Sequence, residues 1–337
     1  MFFHPKTFFF LPAIWLVASS SNAFAGDLFD MLKRMSDADQ NKNYQGNFIL
    51  RKADNLSTLR VTHGVDDEGE WESLESLNGE AKKMLRHNNR VITIFPGSKR
   101  VAIRQSGKNF SLHQQLPSNI EQLETYYSIE RLADDRIANH ETLVINLSPK
   151  DKYRYGYLYW IDKNTGMLLR CDLLSEENKI VEQMMFTSMD YLTEPPEQLF
   201  DLKQFDALKE AEPAHTEKTV KLEQPREARW KVGNLPEGFM LTQNTMRFSK
   251  SQQENQEQKL HPRQFPDLQH MVYSDGLASV SIFIEKNRGD KEHLSGALTQ
   301  GAVNAFGNAK GDYYVTVVGE VPEQTVQIMA QSISRQP

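Results

Sequence analysis

Residues 153–174 read YRYGYLYWIDKNTGMLLRCDLL, and their pattern decides the fold class. Tyr153, Tyr155, Tyr157, Tyr159 and Ile161 alternate with Arg154, Gly156, Leu158, Trp160 and Asp162. Successive side chains of a strand point to opposite faces, so a period of two predicts a strand with one face buried. Asp162 to Gly166 supplies turn chemistry, and Met167 to Leu174 returns as a second strand. On the return strand Cys171 alternates with Leu169 and Leu173, which predicts that the three share a face and that the thiol serves as a small apolar side chain. The five large side chains of the outgoing strand make a broad apolar face with polar tips. Large aromatics dominate ordinary cores, so packing against a helix is the plain account. A concave sheet that holds an acyl chain or an amphipathic peptide is the functional one.

Strand signals continue on both sides of the hairpin. Asn47 to Lys52 alternates, with Phe48 and Leu50 on one side, and Leu59 to His63 can pair with it across Asp54 and Asn55. Arg90 to Phe95 is a strand that carries Ile92 and Ile94 and stops at Pro96-Gly97. Val101 to Gln105 is its partner, Asn119 to Arg131 reads as helical or irregular, and Ile137 to Leu147 and Lys179 to Tyr191 extend the sheet. Ahead of all these strands, Asp27 is placed to cap a helix whose apolar face is Leu28, Met31, Leu32, Met35 and Ala38. One helix followed by many meandering strands predicts an α+β fold, a large antiparallel sheet packed on a few helices.

Composition divides the remainder. Glu194 to Arg229 is charged and proline-bearing, which marks an interdomain connection, helical around Leu199 to Leu208. A smaller domain starts at Trp230. Its strands are Met240 to Phe248, Gln269 to Tyr273, Leu277 to Glu285, Asn304 to Phe306 and Tyr313 to Val318, with Ser274-Asp275-Gly276 as a tight hairpin. Ser249 to His270 is a Gln-rich polar loop. A last helix opens at Pro322 and buries Val321, Thr325, Ile328, Met329 and Ile333.

The first residues predict the compartment. A weakly basic start at Lys6, an apolar run from Phe8 to Ala18 and the triplet Ala23-Phe24-Ala25 form the order of a cleaved secretory signal. The divisions are therefore 1–25 signal peptide, 26–193 N-terminal domain, 194–229 linker and 230–337 C-terminal domain. A single cysteine in an exported chain allows no internal disulfide, so stability must come from packed cores.

The search for chemistry excludes more than it finds. A net charge of −6 argues against a general nucleic-acid binder and against electrostatic attachment to anionic membranes. Nine histidines are scattered, none in a His-Glu-x-x-His array, and no cysteine cluster exists, so no metal and no cofactor is expected. His261 and His270 read as solvated loop residues. Glu68, Glu70, Glu72 and Glu75 form an acidic run of the kind that is usually a solvated surface. No nucleophile elbow or phosphate loop is present, which favours a binding protein over an enzyme.

Several stretches together resemble the RseB/MucB family of periplasmic regulators of sigma-E. They are Tyr155 to Asp162, Thr165 to Arg170, Trp230 with Leu235-Pro236-Glu237-Gly238-Phe239, Val272 to Leu277, and Val317 to Pro322. Each is short; their order and spacing over the whole mature chain carry the resemblance. It implies an N-terminal domain similar to the carriers LolA and LolB, a strongly curved antiparallel half-barrel closed by helices around an apolar cavity, and a small α+β C-terminal domain. It also implies binding to the periplasmic domain of a membrane-spanning anti-sigma factor, protection of that factor from proteolysis, and displacement by lipid A, lipopolysaccharide or fatty acyl groups. Phe48, Leu50, Ile92, Ile94, Tyr157, Tyr159 and Ile161 are the expected cavity lining, with the inward face of the sheet left open, as are the anti-sigma contact residues and a homo-oligomeric state. The alternatives are a periplasmic lipid or lipoprotein carrier, which has no need of a second domain, and a secreted hydrolase with a cryptic site.

Overall fold

The computed structural model of the chain describes residues 21–88, 90–98, 100–105, 116, 120–196, 220–221, 230–247, 268–287, 289 and 293–335. Helix α1 spans Ser21–Asn41. Leu28, Leu32, Met35 and Ala38 are buried, and Met31 packs beside them. Burying side chains of this size is worth about 1.5–3 kcal/mol each, so tertiary packing holds this helix more than its own propensity does. Asp27 does not cap it: the helix continues back to Ser21, which puts Asp27 inside.

Ten further stretches make the body of the first sheet: β1 (Asn43–Lys52), β2 (Asn55–Asp66), β3 (Gly69–Ser76), β4 (Lys83–His87), β5 (Arg90–Phe95), β6 (Arg100–Gln105), β7 (Tyr127–Arg131), β8 (Asp135–Ile137), β9 (His140–Pro149) and β10 (Gly156–Asp162). β11 (Leu168–Leu174) and β12 (Ile180–Leu192) complete it. Among the described residues this is a twelve-stranded sheet in the order β6-β5-β4-β3-β2-β1-β12-β11-β10-β9-β7, with β8 on β9. Every pairing is antiparallel. All join sequence neighbours or near neighbours except β1 with β12, which runs from Asn43↔Leu192 to Lys52↔Glu182. Phe48 meets Leu59 across β1 and β2. The stretch Asn119 to Arg131, read as helical or irregular, contains among its described residues a 3-10 turn at Ile120–Gln122 running into the one-turn helix α2 (Leu123–Tyr126) before β7 begins.

The hairpin of β10 and β11 forms as its alternation predicts, although β10 starts at Gly156 and leaves Tyr153 and Tyr155 ahead of the strand. Its turn is held by Asp162, whose Oδ1 accepts from the N–H groups of Asn164 and Thr165 at 2.8 and 3.1 Å. Gly166 has φ +82°, and a Cβ there would sit 3.0 Å from the carbonyl oxygen of Arg34 in α1. Both the left-handed backbone and the close approach require glycine. A bulge in β11 changes one expectation. Trp160 pairs with Arg170 but Ile161 pairs with Leu168, so Leu169 is an extra residue without a partner. Across the bulge the alternation breaks.

The second sheet contains β13 (Val220–Lys221), β15 (Met240–Arg247), β16 (Leu268–Ser274), β17 (Ser279–Lys286), β18 (Gly296–Gln300), β19 (Val303–Lys310) and β20 (Tyr313–Gly319), in the order β13-β15-β16-β17-β20-β19-β18. Helix α3 (Glu323–Ser332) covers it, burying Thr325, Val326, Met329 and Ala330 with Val321 and Ile333 at its ends. β14 (Trp230–Val232) and β21 (Ile333–Arg335) pair beside it. Val220 and Lys221 lie in the stretch read as a connection, yet they pair with Met246 and Thr245. The helix expected around Leu199 to Leu208 and most of the Gln-rich segment fall outside the described residues. His270 does not belong to that loop. It lies in β16, stacked on Phe283 at 4.3 Å, and burial holds its pKa below the ordinary value.

Candidate functional site

A cavity of about 190 Å³ opens on the inner face of the first sheet. Its wall is apolar: Met35 from α1, Leu50 from β1, Tyr157 and Tyr159 from β10, Leu168, Cys171 and Leu173 from β11, and Met184 from β12. The alternation on β10 thus resolves with the tyrosines inward. The opposite face carries Trp160, whose indole N–H donates to Asp135 at 2.9 Å and whose ring lies under the Arg170 guanidinium at 4.0 Å. The bulge decides the third wall. Leu168, not Leu169, lines the cavity with Cys171 and Leu173. Cys171 keeps the expected apolar role, and burial pushes its thiol pKa well up.

Of the seven residues singled out from sequence, Leu50, Tyr157 and Tyr159 come together at this wall. Phe48 and Ile161 belong to the same core; Phe48 packs on Phe186 at 5.4 Å. Ile92 and Ile94 lie on β5, four strands along the sheet from β1, with Ile92 fully buried and Ile94 partly. The cavity mouth is polar. Lys52, Glu182, Gln183 and Glu320 stand there, and Lys52 Nζ lies 3.0 Å from Glu182 and 3.6 Å from Glu320. Burial and the nearby Glu182 raise the pKa of Glu320 against the pull of Lys52. No local pattern marks this rim, because its four polar residues come from three strand ends distant in the chain.

A second cluster joins the two sheets. Arg154 is fully buried, and its guanidinium donates to Asp275 Oδ2 at 2.6 Å, to the Glu237 carbonyl at 2.6 Å and to Asp151 Oδ1 at 3.1 Å. The rings of Tyr126, Phe239 and Tyr127 surround it at 4.8, 5.2 and 5.7 Å. Tyr127 donates to the same Asp275 oxygen at 3.2 Å. The other oxygen of Asp275 closes its own hairpin by accepting from Leu277 and Ala278. Tyr155 and Tyr153, the two aromatics ahead of β10, also work here. Asn304 donates to the Tyr155 hydroxyl at 3.0 Å, and Thr325 donates to the Tyr153 carbonyl at 2.8 Å. Such a pair of buried charges is tolerable only because nearly every donor and acceptor is matched.

The acidic run is not a solvated surface throughout. Glu72 is 3% exposed, and both Glu70 and Glu72 pair with Arg86, itself 3% exposed. His63, stacked on Tyr44 at 5.0 Å, donates through Nδ1 to the Lys42 carbonyl at 2.7 Å and turns Nε2 to Glu70 at 3.1 Å. Strand alternation puts Glu70 and Glu72 on one face of β3, opposite cations on β2 and β4, so the charges pair inward. Burial opposes both ionised forms, yet the pairing wins at Glu70, whose pKa falls to about 2, and at His63, whose pKa rises. At Glu72 burial wins and the pKa is raised. Among the described residues no group of His, Cys, Asp and Glu is arranged to hold a metal.

An apolar cavity in an open antiparallel sheet, with a rim shared by a second sheet, defines a two-part binding protein. The chain belongs to the MucB/RseB family: the family's MucB/RseB N-terminal domain matches residues 27–204 and its MucB/RseB C-terminal domain matches residues 224–334. It is 28% identical over 320 residues to the sigma factor AlgU regulatory protein MucB of Pseudomonas aeruginosa, covering 92% of this chain and 91% of that one. It is 26% identical over 329 residues to the sigma-E factor regulatory protein RseB of Haemophilus influenzae, covering 98% of each. The fold is similar to MucB in the Pseudomonas aeruginosa MucA/MucB complex, with a TM-score of 0.66 at 27% identity over 92% of this chain and 99% of that one. These relatives are regulators of sigma factors.

Proposed function

We propose that this chain is an exported, periplasmic regulatory binding protein. It engages the periplasmic part of a membrane-spanning anti-sigma factor, shields that part from proteolysis and so restrains a sigma-E-type factor. The observation that carries this reading is similarity along both parts of the chain to MucB, a protein solved in complex with MucA. The N-terminal division at 26–193, the linker at 194–229 and the C-terminal division at 230–337 remain the boundaries we assign.

The cavity is the sensing element in this reading. Leu50, Tyr157 and Tyr159 hold an acyl chain, with Phe48 and Ile161 in the adjoining apolar core, while Ile92 and Ile94 lie four strands away on β5 and outside this volume. Burial of acyl carbon supplies about 0.8 kcal/mol per CH₂ before ordering costs. A ligand releases the partner only by preferring the state that does not bind it. Two sheets joined through a separable contact provide such a pair of states. A lipid or lipoprotein carrier would use the same cavity, and partner binding separates the two readings. Calorimetric titration of the mature chain with the periplasmic segment of its own organism's anti-sigma factor tests this. Micromolar or tighter binding that weakens with acyl ligand is the expected result; acyl binding without partner binding would overturn it in favour of the carrier.

A further inference from the structure

The mouth of the cavity is also a fastening between the two sheets. Lys52 ends β1, Glu182 faces it from β12, and Glu320 reaches it from the residue after β20. All three line the cavity. The Gly301–Ala302 turn between β18 and β19 sits at the same point. Ala302 N–H lies 3.4 Å from Glu182 Oε1, and a Cβ on Gly301 would lie 3.7 Å from that of Ala53. The entrance to the apolar volume and one join between the sheets are therefore built from the same atoms.

Charge and size both bear on what passes. One ammonium serves two carboxylates, and Glu182 is the nearer and the more buried of them, with 11% exposure against 36% for Glu320. An arriving anion competes with Glu320 for Lys52 before it competes with Glu182. The cavity of about 190 Å³ is little larger than the roughly 150 Å³ that admits a benzene molecule. It holds a short segment of one chain, so a longer chain enters only when a wall moves. The wall that belongs to the other sheet is Glu320 with its turn.

We propose that this mouth is a ligand-operated latch between the sheets, opened by an amphiphile with one acyl chain and an anionic headgroup that takes Lys52 from Glu320. The proposal rests on the reading of the cavity as an acyl site. A neutral amphiphile of equal length fills the apolar volume but offers Lys52 no charge, and leaves the latch shut. Fatty carboxylates and phosphorylated lipids share the required head chemistry.

The test uses the full mature chain, its native Cys171 kept because it lines the cavity, with spin labels on cysteines introduced at the exposed positions Lys179 and Gln300. Dodecanoate, dodecyl phosphate and dodecanol are added below their micelle concentrations. Displacement of the neutral probe N-phenyl-1-naphthylamine reports occupancy, and the distance between labels reports opening. All three should displace the probe, the anions about threefold more tightly, as one partly exposed ion pair warrants. Only the anions should shift the distance. Lys52→Met should abolish both the anionic preference and the shift, and Glu320→Gln should shift the distance without ligand. The stronger of the two anions identifies carboxylate or phosphate as the natural head. Displacement by all three with no difference in distance overturns the latch and leaves the acyl site standing. Displacement by none overturns both.

Discussion

Arg154 and Asp275 lie 121 residues apart in sequence and 2.6 Å apart in space, with both side chains wholly withdrawn from water. Removing one member of a buried pair costs about 3–5 kcal/mol, chiefly because the other charge is stranded. This pair spans the two sheets, so the loss falls on their association. Arg154→Met should split calorimetric unfolding into two transitions, with each sheet still folded. A single transition at the original temperature would show that the pair contributes nothing to the join. Asp275→Asn should be more damaging, since the hairpin of β16 and β17 also uses that carboxylate.

The His63 cluster predicts a pH dependence. The folded pKa of His63 is raised, so the native state holds the proton more tightly than the unfolded chain does. Its stabilisation is complete below the unfolded value of about 6.5 and is lost as pH rises through the folded value. Glu70 acts at the other end. Its folded pKa of about 2 gives stability that is present above about 4.3 and lost as pH falls toward 2. Urea midpoints measured from pH 5 to 9 should decline on the alkaline side, and His63→Gln should flatten that decline. An unchanged slope in the variant would remove His63 as its source.

Tyr157 faces the cavity and is 3% exposed. Tyr157→Asp places an acid against Leu173, Tyr159 and Met184, and should reduce acyl-probe binding by about tenfold or more, since one uncompensated polar group costs about 1–3 kcal/mol or more. Trp160→Phe, on the other face, should leave probe binding intact. Equal binding by a folded Tyr157→Asp variant would show that the acyl chain lies elsewhere.

Gly238 has φ +87°, and a Cβ there would come within 2.5 Å of the Tyr126 ring. That ring is one wall around Arg154. Gly238→Ala is strained in backbone and in space, and should destabilise by more than about 1 kcal/mol. The loss should be smaller in an Arg154→Met background, because both changes act on one contact. Additive thermal shifts would show the two sites to be independent.

Much of this architecture was legible in the chain. The aromatic alternation of β10, the turn at Asp162 to Gly166, the apolar stripe of α1 and the Asp275-Gly276 hairpin are local patterns, and each formed where its period or turn chemistry indicated. Their edges moved: β10 starts at Gly156, and the tight turn expected at Asp275-Gly276 is a four-residue loop that puts the start of β17 at Ser279. What escaped altogether was pairing between distant segments. Glu70 and Glu72 look like surface charges until β2 and β4 bring His63 and Arg86 beside them. Arg154 looks like the wet side of an alternating strand until the second sheet covers it. Leu169 looks interchangeable with Leu168 until a bulge selects between them. The rim of Lys52, Glu182 and Glu320 has no sequence signature, because three strand ends define it only after both sheets are built.

The pairing of β1 with β12 sets a timetable. β1 begins at Asn43 and its partner ends at Leu192. In an exported chain, as proposed above, β1 reaches the folding compartment before β12, with most of the first sheet's sequence between them. Through that interval one edge of β1 lacks its neighbour, and the apolar side chains of Phe48 and Leu50 await the wall that Phe186 and Met184 bring. Closing so long a loop is slow for a folding step. The first sheet therefore closes late, and until then the open edge of β1 is a template on which another chain can pair.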